Sequence, residues 1–307
     1  MNEIKKLYLS DKTPLSDFLF IADKTRKRFK KNDIELCSIV NAKSGNCSED
    51  CRFCAQSARY RAKIDRYPLL PAKDIVKAAK SAAANKATCF GIVTSGRSIN
   101  SPEEVRNIAA AVQKIKKEIP LLKCSASLGS IPRIFMRELK QAGLDRFHHN
   151  PETSENFFRR MCTTHPYKER IKTIADAKKE GLGICAGGIF GLGEKRKDRL
   201  ALAIALRDLG VESVPLNFLH PIQGTPLEDA KPLPPQEILR TIAMFRLVLP
   251  KADIKVCAGR IVNLRDLQSM IFFAGASGMM IGNYLTQQGR SPALDLQMIK
   301  DLGLNIK

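Results

Sequence analysis

Eight short apolar runs alternate with stretches of helical spacing along the 307 residues, and this alternation constrains the fold more than any other feature. The runs read as strands over 34–41, 87–94, 121–127, 145–149, 182–190, 212–218, 253–258 and 278–281. Helical spacing falls at 72–85, 102–119, 132–142, 167–180, 196–209, 235–248 and 264–274. Ser101 is placed to cap the second of these helices, with Pro102 at its first position. Gly143, Gly181, Gly210 and Gly275 stand where left-handed C-caps are expected. Strand–helix repeats of this length predict an α/β chain, a (β/α)8 TIM-type barrel over 34–307. Residues 1–33 form an N-terminal helical extension on this reading, with its helix near 14–31. An open doubly wound sheet would want a phosphate-binding turn after its first strand; a cysteine-rich loop stands there instead.

Composition excludes several classes. Hydrophobic residues are 44% and charged residues 27%, as in soluble globular proteins. The longest apolar run, 200–206, falls far short of the roughly 20 residues of a membrane span. The first residues lack the apolar core of a signal peptide. A cytoplasmic protein with no membrane partner is expected. Lys+Arg number 51 against 31 Asp+Glu, a net charge of +20 that favours anionic partners. The densest basic cluster, Lys24 to Lys31, reads as a solvated helix face. With no Trp and five scattered Tyr there is no stacking platform for nucleic acid, and none is expected as a partner.

Nine cysteines in such a chain point to metal or redox chemistry rather than disulfides. Cys47, Cys51 and Cys54 are spaced CxxxCxxC directly after the first strand. Clustered thiolates select zinc or iron–sulfur clusters. A zinc knuckle with a distant fourth ligand is one reading. The other is a four-iron cluster whose fourth iron, lacking a protein ligand, binds an exogenous chelator. The loop lies on the barrel face where active sites are built.

This loop resembles that of the radical S-adenosylmethionine (SAM) superfamily, with Phe53 as the aromatic before the third cysteine. The chain further resembles the biotin synthase family over nearly its whole length. The resemblance is carried by the blocks from Asn41 to Cys51, Cys185 to Glu194, Ser213 to Leu219, Gly224 to Leu227 and Ala258 to Arg260. It implies a 4Fe-4S cluster on Cys47, Cys51 and Cys54. It implies SAM contacts from Phe53, Glu152, Arg170 and the GxIxGxxE element with Gly187, Gly188 and Ile189. In that element the glycines are expected to let the backbone approach the ligand. Asn150 and Asn217 match residues that bind the ureido ring of dethiobiotin, a task suited to an amide's donor and acceptor. Glu152 replaces the family's Asp, and His148 its Asn. His148 and His149 are read as packing or hydrogen-bonding residues.

The family carries an auxiliary cluster held by three Cys and one Arg. Cys124 and Cys185 match two of those cysteines. Gly91 and Lys255 stand at the other two positions. Cys89 and Cys257 lie two residues from these, on the same strand faces, since side chains alternate with period two. Four barrel-facing thiols are therefore expected: Cys89, Cys124, Cys185 and Cys257. They would hold a four-iron auxiliary cluster carrying an extra, extractable sulfide. Cys37 and Cys162 are expected to be structural. The resemblance implies a sulfurtransferase that inserts sulfur into dethiobiotin to form biotin. It would be reduced by an acidic flavodoxin or ferredoxin and could form a homodimer. Other radical SAM sulfur-inserting enzymes, hydrogenase-cofactor maturases and a non-enzymatic iron–sulfur scaffold or redox sensor are the alternatives. The roles of His148 and Lys255 stay open.

Overall fold

The computed structural model describes residues 1–10 and 12–307. The barrel strands are β1 (Asp33–Lys43), β2 (Cys89–Thr94), β3 (Lys123–Ser127), β4 (Arg146–His148), β5 (Gly183–Cys185), β6 (Gly188–Phe190), β7 (Ser213–Phe218), β8 (Asp253–Val256) and β9 (Gly278–Met280). They pair in parallel in the order β1-β2-β3-β4-β5-β7-β8-β9, with β6 following β5 along the same edge of β7, and β9 pairs back onto β1, closing the barrel. A short β10 (Asn305–Ile306) joins β1 at the barrel's floor.

Helices cover the outside. Two N-terminal helices, α1 (Asn2–Leu9) and α2 (Leu15–Lys30), precede β1. Between strands come α3 (Ala72–Ala84), α4 (Pro102–Glu118), α5 (Arg133–Gln141), a short α6 (Glu155–Phe158), α7 (Tyr167–Lys179), α8 (Arg196–Asp208) and α9 (Pro235–Val248). Ser101 Oγ accepts from Glu104 N and caps α4 as expected. Gly143, Gly181, Gly210 and Gly275 all have positive φ.

Two expected elements are broken. The run 182–190 divides into β5 and β6. Gly187 N donates to Asn150 Oδ1 at 2.9 Å instead of to a neighbouring strand, so the ladder opens there. The stretch 264–274 is not one helix. It comprises α10 (Arg260–Leu264), a 3-10 turn (Arg265–Ser269) and α11 (Met270–Phe273), because Arg265 takes φ 50° and ends α10. Beyond the expectations lie α1, β10 and α12 (Pro292–Asp301). The α1 helix is anchored by Tyr8, which is fully buried and 3.3 Å from Thr241 Oγ1 on α9.

The apolar core fills the layer between strands and helices. The barrel interior is different: its floor is charged. Glu35 Oε1 accepts from Arg146 Nη1 at 2.5 Å and from Lys255 Nζ at 2.8 Å, with all three residues buried. Such an array costs desolvation on every member, and removing one partner typically costs about 3–5 kcal/mol.

Candidate active site

Above this floor the interior opens into a cavity of about 370 Å³ that reaches the C-terminal strand ends. Strand parity decides what faces it. On β1 and β2, Cys37 pairs in register with Cys89, and both line the cavity. Cys185 on β5 and Cys257 after β8 line it as well. Cys124 does not. Its register partner is Phe90, and both belong to the apolar layer under the helices. The interior positions of β3 are Ser125 and Ser127. The expectation that Cys124 faces the barrel interior is thus corrected by one residue of strand alternation. Cys37, expected to be structural, faces the cavity by the same alternation.

Around these thiols the contacts are specific. Lys255 Nζ lies 3.2 Å from Cys37 Sγ. His148 Nδ1 lies 3.3 Å from Cys185 Sγ, and burial keeps this imidazole neutral by lowering its pKa. Cys37 and Cys89 share a hydrogen bond, which lowers the Cys89 thiol and raises that of Cys37. Burial pushes Cys257 up to about 12.

A second, smaller cavity adjoins the first and is lined by Cys47, Cys51 and Cys54. Phe53, Cys54, His148, Asn150 and Glu152 border both. The loop holding the thiols is pinned from within: Cys47 N donates to Gln56 O, and Ser57 Oγ donates to Glu49 O. Burial pushes the Cys54 thiol up to about 11 and raises Cys47. Iron binding there must therefore displace protons. Three convergent thiols fit a four-iron cluster with one open iron. His149 Nε2, buried in the same cavity wall with no partner, adds an unused polar atom.

The groups expected to hold SAM surround this cavity. Arg170 Nη1 donates to Asn150 O at 2.8 Å and its Nε to His165 Nε2 at 3.0 Å. Glu152 has φ 69°, a left-handed conformation uncommon for a non-glycine residue. Its carboxyl group is raised by burial, against the opposing charge of Arg170. Ile189 lines the barrel cavity, whereas Gly187 and Gly188 line neither. Their lack of a Cβ serves the chain itself. A Cβ on Gly187 would stand 1.9 Å from Pro215 O, and one on Gly188 2.4 Å from Glu152 O. Glu194, the motif's acid, is buried and accepts from Gly191 N, Leu192 N and Arg199 Nε, holding the turn.

Asn150 and Asn217 face the barrel cavity from β4 and β7 sides. Asn150 Nδ2 donates to Glu152 Oε2 at 3.3 Å, and Asn217 Nδ2 donates to Gly188 O at 3.2 Å. Two features escape the sequence reading. Tyr284, after β9, donates to Asn217 Oδ1. Cys162, expected to be structural, lies beside Cys51 and 3.3 Å from His165 Nδ1, which also bonds Glu49. Cys51 is raised and Cys162 lowered chiefly by the hydrogen bond they share.

A closed parallel barrel with this three-thiol loop over its strand ends defines a radical SAM protein, and the Radical SAM superfamily description matches residues 42–206. The Biotin and Thiamin Synthesis associated domain description matches residues 215–305, which supply β8, β9 and most of β7 to the same barrel. The biotin synthase of Citrifermentans bemidjiense is 50% identical over 292 residues, covering 95% of this chain and 88% of that protein. That of Geobacter sulfurreducens is 48% identical over 306 residues, covering 100% and 93%. The chain belongs to the biotin synthase family. Among solved structures, methylornithine synthase shares the fold with TM-score 0.85 at 19% identity, covering 100% of this chain and 93% of that one. The FeFe-hydrogenase maturase HydG from Carboxydothermus hydrogenoformans does so with TM-score 0.81 at 19% identity, covering 100% and 78%. Among the described residues no helix is long and apolar enough to cross a membrane.

Proposed function

We propose that this chain converts dethiobiotin to biotin, drawing sulfur from an auxiliary four-iron cluster held by Cys37, Cys89, Cys185 and Cys257. The observation that carries the reading is that these four thiols line one cavity with Asn150 and Asn217, and that this cavity adjoins the Cys47/Cys51/Cys54 loop. Four thiolates suit a four-iron cluster. When bound, the loop cluster with SAM supplies a 5′-deoxyadenosyl radical that takes hydrogen from an unactivated carbon, and the auxiliary cluster supplies sulfur, through an extra sulfide on this reading.

The chain's own residues bind, orient and exclude water. Asn150 and Asn217 hold the ureido ring by donor–acceptor pairs, between the two groups of thiols. Glu152 accepts from the ribose hydroxyls of SAM, and Arg170 steadies its carboxylate from beside His165. Phe53 and Ile189 present apolar surface to it. Tyr284, with the segment following β9, covers the cavity and keeps water out. His148 orients the Cys185 thiol.

An acidic flavodoxin or ferredoxin is the proposed reductant. A polar hollow beside the cluster loop supports this: Arg66 lines it with Lys43, Arg97, Arg133 and Lys172, which pair with Glu104, Glu169, Glu180 and Asp176. The test is anaerobic iron and sulfide analysis with Mössbauer spectroscopy, alongside a biotin assay. About four irons per chain should remain when Cys47, Cys51 and Cys54 are all replaced by Ala; about two would reject the four-iron cluster.

A further inference from the structure

Lys255 stands where relatives of this family are expected to place an arginine iron ligand, yet its surroundings give it a different task. Its Nζ is 2.8 Å from Glu35 Oε1 and 3.2 Å from Cys37 Sγ. Lys255 is almost completely buried. Nζ donates to both the Glu35 carboxylate and the Cys37 sulfur, so it is placed as a hydrogen-bond donor beside the thiols. The Glu35 carboxylate, within 4.8 Å of the Cys37 and Cys89 thiols, is held through Oε1 alone, and its buried Oε2 has no hydrogen-bond partner. Its Oε1 is shared by Lys255 and Arg146, and Arg146 also reaches Asp253 at 3.8 Å. The floor of the cavity is therefore a charged array in which Lys255 alone donates to a thiol, with Glu35 shared between Lys255 and Arg146.

A cluster held by four thiolates carries net negative charge, and each added electron increases it. In a buried site that charge is stabilised only by fixed donors and cations. We infer that Lys255, oriented by Glu35, is a positioning residue that donates a hydrogen bond to the Cys37 thiolate of the auxiliary cluster and makes its one-electron reduction easier. The inference rests on the four-thiol reading above. Lys255 lies at the floor, below the thiols, so it leaves the face toward Asn150 and Asn217 free for sulfur delivery. Hydrogen bonds to sulfur and nearby charge are the means by which a protein sets a cluster's potential.

The experiment is an anaerobic redox titration of the reconstituted full-length chain, followed by EPR and Mössbauer spectroscopy. Signals of the auxiliary cluster are those that survive the Cys47/Cys51/Cys54 triple-alanine change. Lys255→Met should disfavour reduction about tenfold, a fall of about 59 mV for a one-electron couple. Lys255→Arg, which keeps the charge, should restore most of that shift. Glu35→Gln removes the opposing charge and should move the midpoint the other way. An unchanged midpoint in Lys255→Met with the auxiliary irons retained overturns the inference and leaves the four-thiol reading intact. Should Lys255→Met lose its iron, Glu35→Gln decides: a raised midpoint supports the inference, and an unchanged one overturns it. Absence of auxiliary iron from the unmodified chain would remove both readings together.

Discussion

Tyr284 donates a hydrogen bond to Asn217 Oδ1 across 3.1 Å, tying the segment after β9 to β7 over the barrel's mouth. The same Oδ1 accepts from Ala258 N at 3.1 Å, and Asn217 Nδ2 donates to Gly188 O. The amide is thus fixed in one orientation, with its second Nδ2 hydrogen left for a ligand carbonyl. Burial raises the Tyr284 hydroxyl far above its ordinary pKa, so it remains a neutral donor. Tyr284→Phe should weaken dethiobiotin binding about fivefold, as expected for loss of about 1 kcal/mol from one neutral hydrogen bond. Asn217→Ala should weaken it more, by about 1–3 kcal/mol. SAM affinity should stay unchanged in both. Isothermal titration with each ligand distinguishes the effects; equal loss of SAM and dethiobiotin affinity would count against the assignment of Asn217 to substrate.

The strand register makes a sharp distinction between two buried cysteines. Cys37 faces the cavity beside Cys89, whereas Cys124 packs with Phe90 beneath the helices. Cys37→Ser should strip the auxiliary cluster of iron. Cys124→Ser should leave the iron content unchanged and cost only modest stability, since Leu122 O lies 3.9 Å from the sulfur and can accept from a hydroxyl. Iron analysis of both variants, each combined with the Cys47/Cys51/Cys54 triple-alanine change, reads only the auxiliary site. Loss of iron from Cys124→Ser with retention in Cys37→Ser would reverse the ligand assignment.

This pair also shows where sequence reasoning reaches its limit. The eight strand positions were legible because strands buried on both faces are short, mostly apolar runs, as in the Cys-Phe-Gly-Ile-Val of β2. The two-residue relations between Cys89 and Gly91, and between Cys257 and Lys255, needed only the period of a strand. Both pairs line the cavity. Placing Cys124 required the absolute facing of β3, which a family match displaced by one residue reverses. Cys37 was accessible to the same argument, since it shares parity with Glu35 on β1, but no family position drew attention to it. Tyr284 was not accessible. It lies in irregular backbone after the last barrel strand, and only the closed fold brings it to Asn217, 67 residues away in sequence. Tyr8 is similar: its burial against Thr241 depends on a contact 233 residues distant.

The loop thiols give a prediction independent of the auxiliary site. Cys47, Cys51 and Cys54 converge on one cavity. A four-iron cluster left with only two of these thiolates lacks one of its protein ligands. Cys47→Ala, Cys51→Ala and Cys54→Ala should each abolish reductive SAM cleavage while retaining the auxiliary iron. The assay is 5′-deoxyadenosine formation under strong reductant. Normal formation by any one variant would be incompatible with the assignment.

Two glycines separate backbone strain from steric exclusion. Gly181 has φ 74° with nothing within 4 Å of where a Cβ would stand, so Gly181→Ala meets only the left-handed backbone penalty. That penalty is about 1 kcal/mol. At Gly187 a Cβ would stand 1.9 Å from Pro215 O and 2.8 Å from the Pro215 carbonyl carbon. These are backbone atoms of β7 and cannot rotate away. Gly187→Ala must therefore part β7 from the break between β5 and β6, adding overpacking of about 1–3 kcal/mol or more. The movement also carries the Gly187 amide away from Asn150 Oδ1, its acceptor at 2.9 Å. Asn150 then loses its orientation toward the cavity. Gly187→Ala should accordingly be less stable than Gly181→Ala in urea unfolding of the iron-free chain. It should also bind dethiobiotin more weakly, whereas Gly181→Ala should bind it normally. Equal stability and equal affinity in the two variants would show that the close approach of β7 to Gly187 is not what requires glycine there.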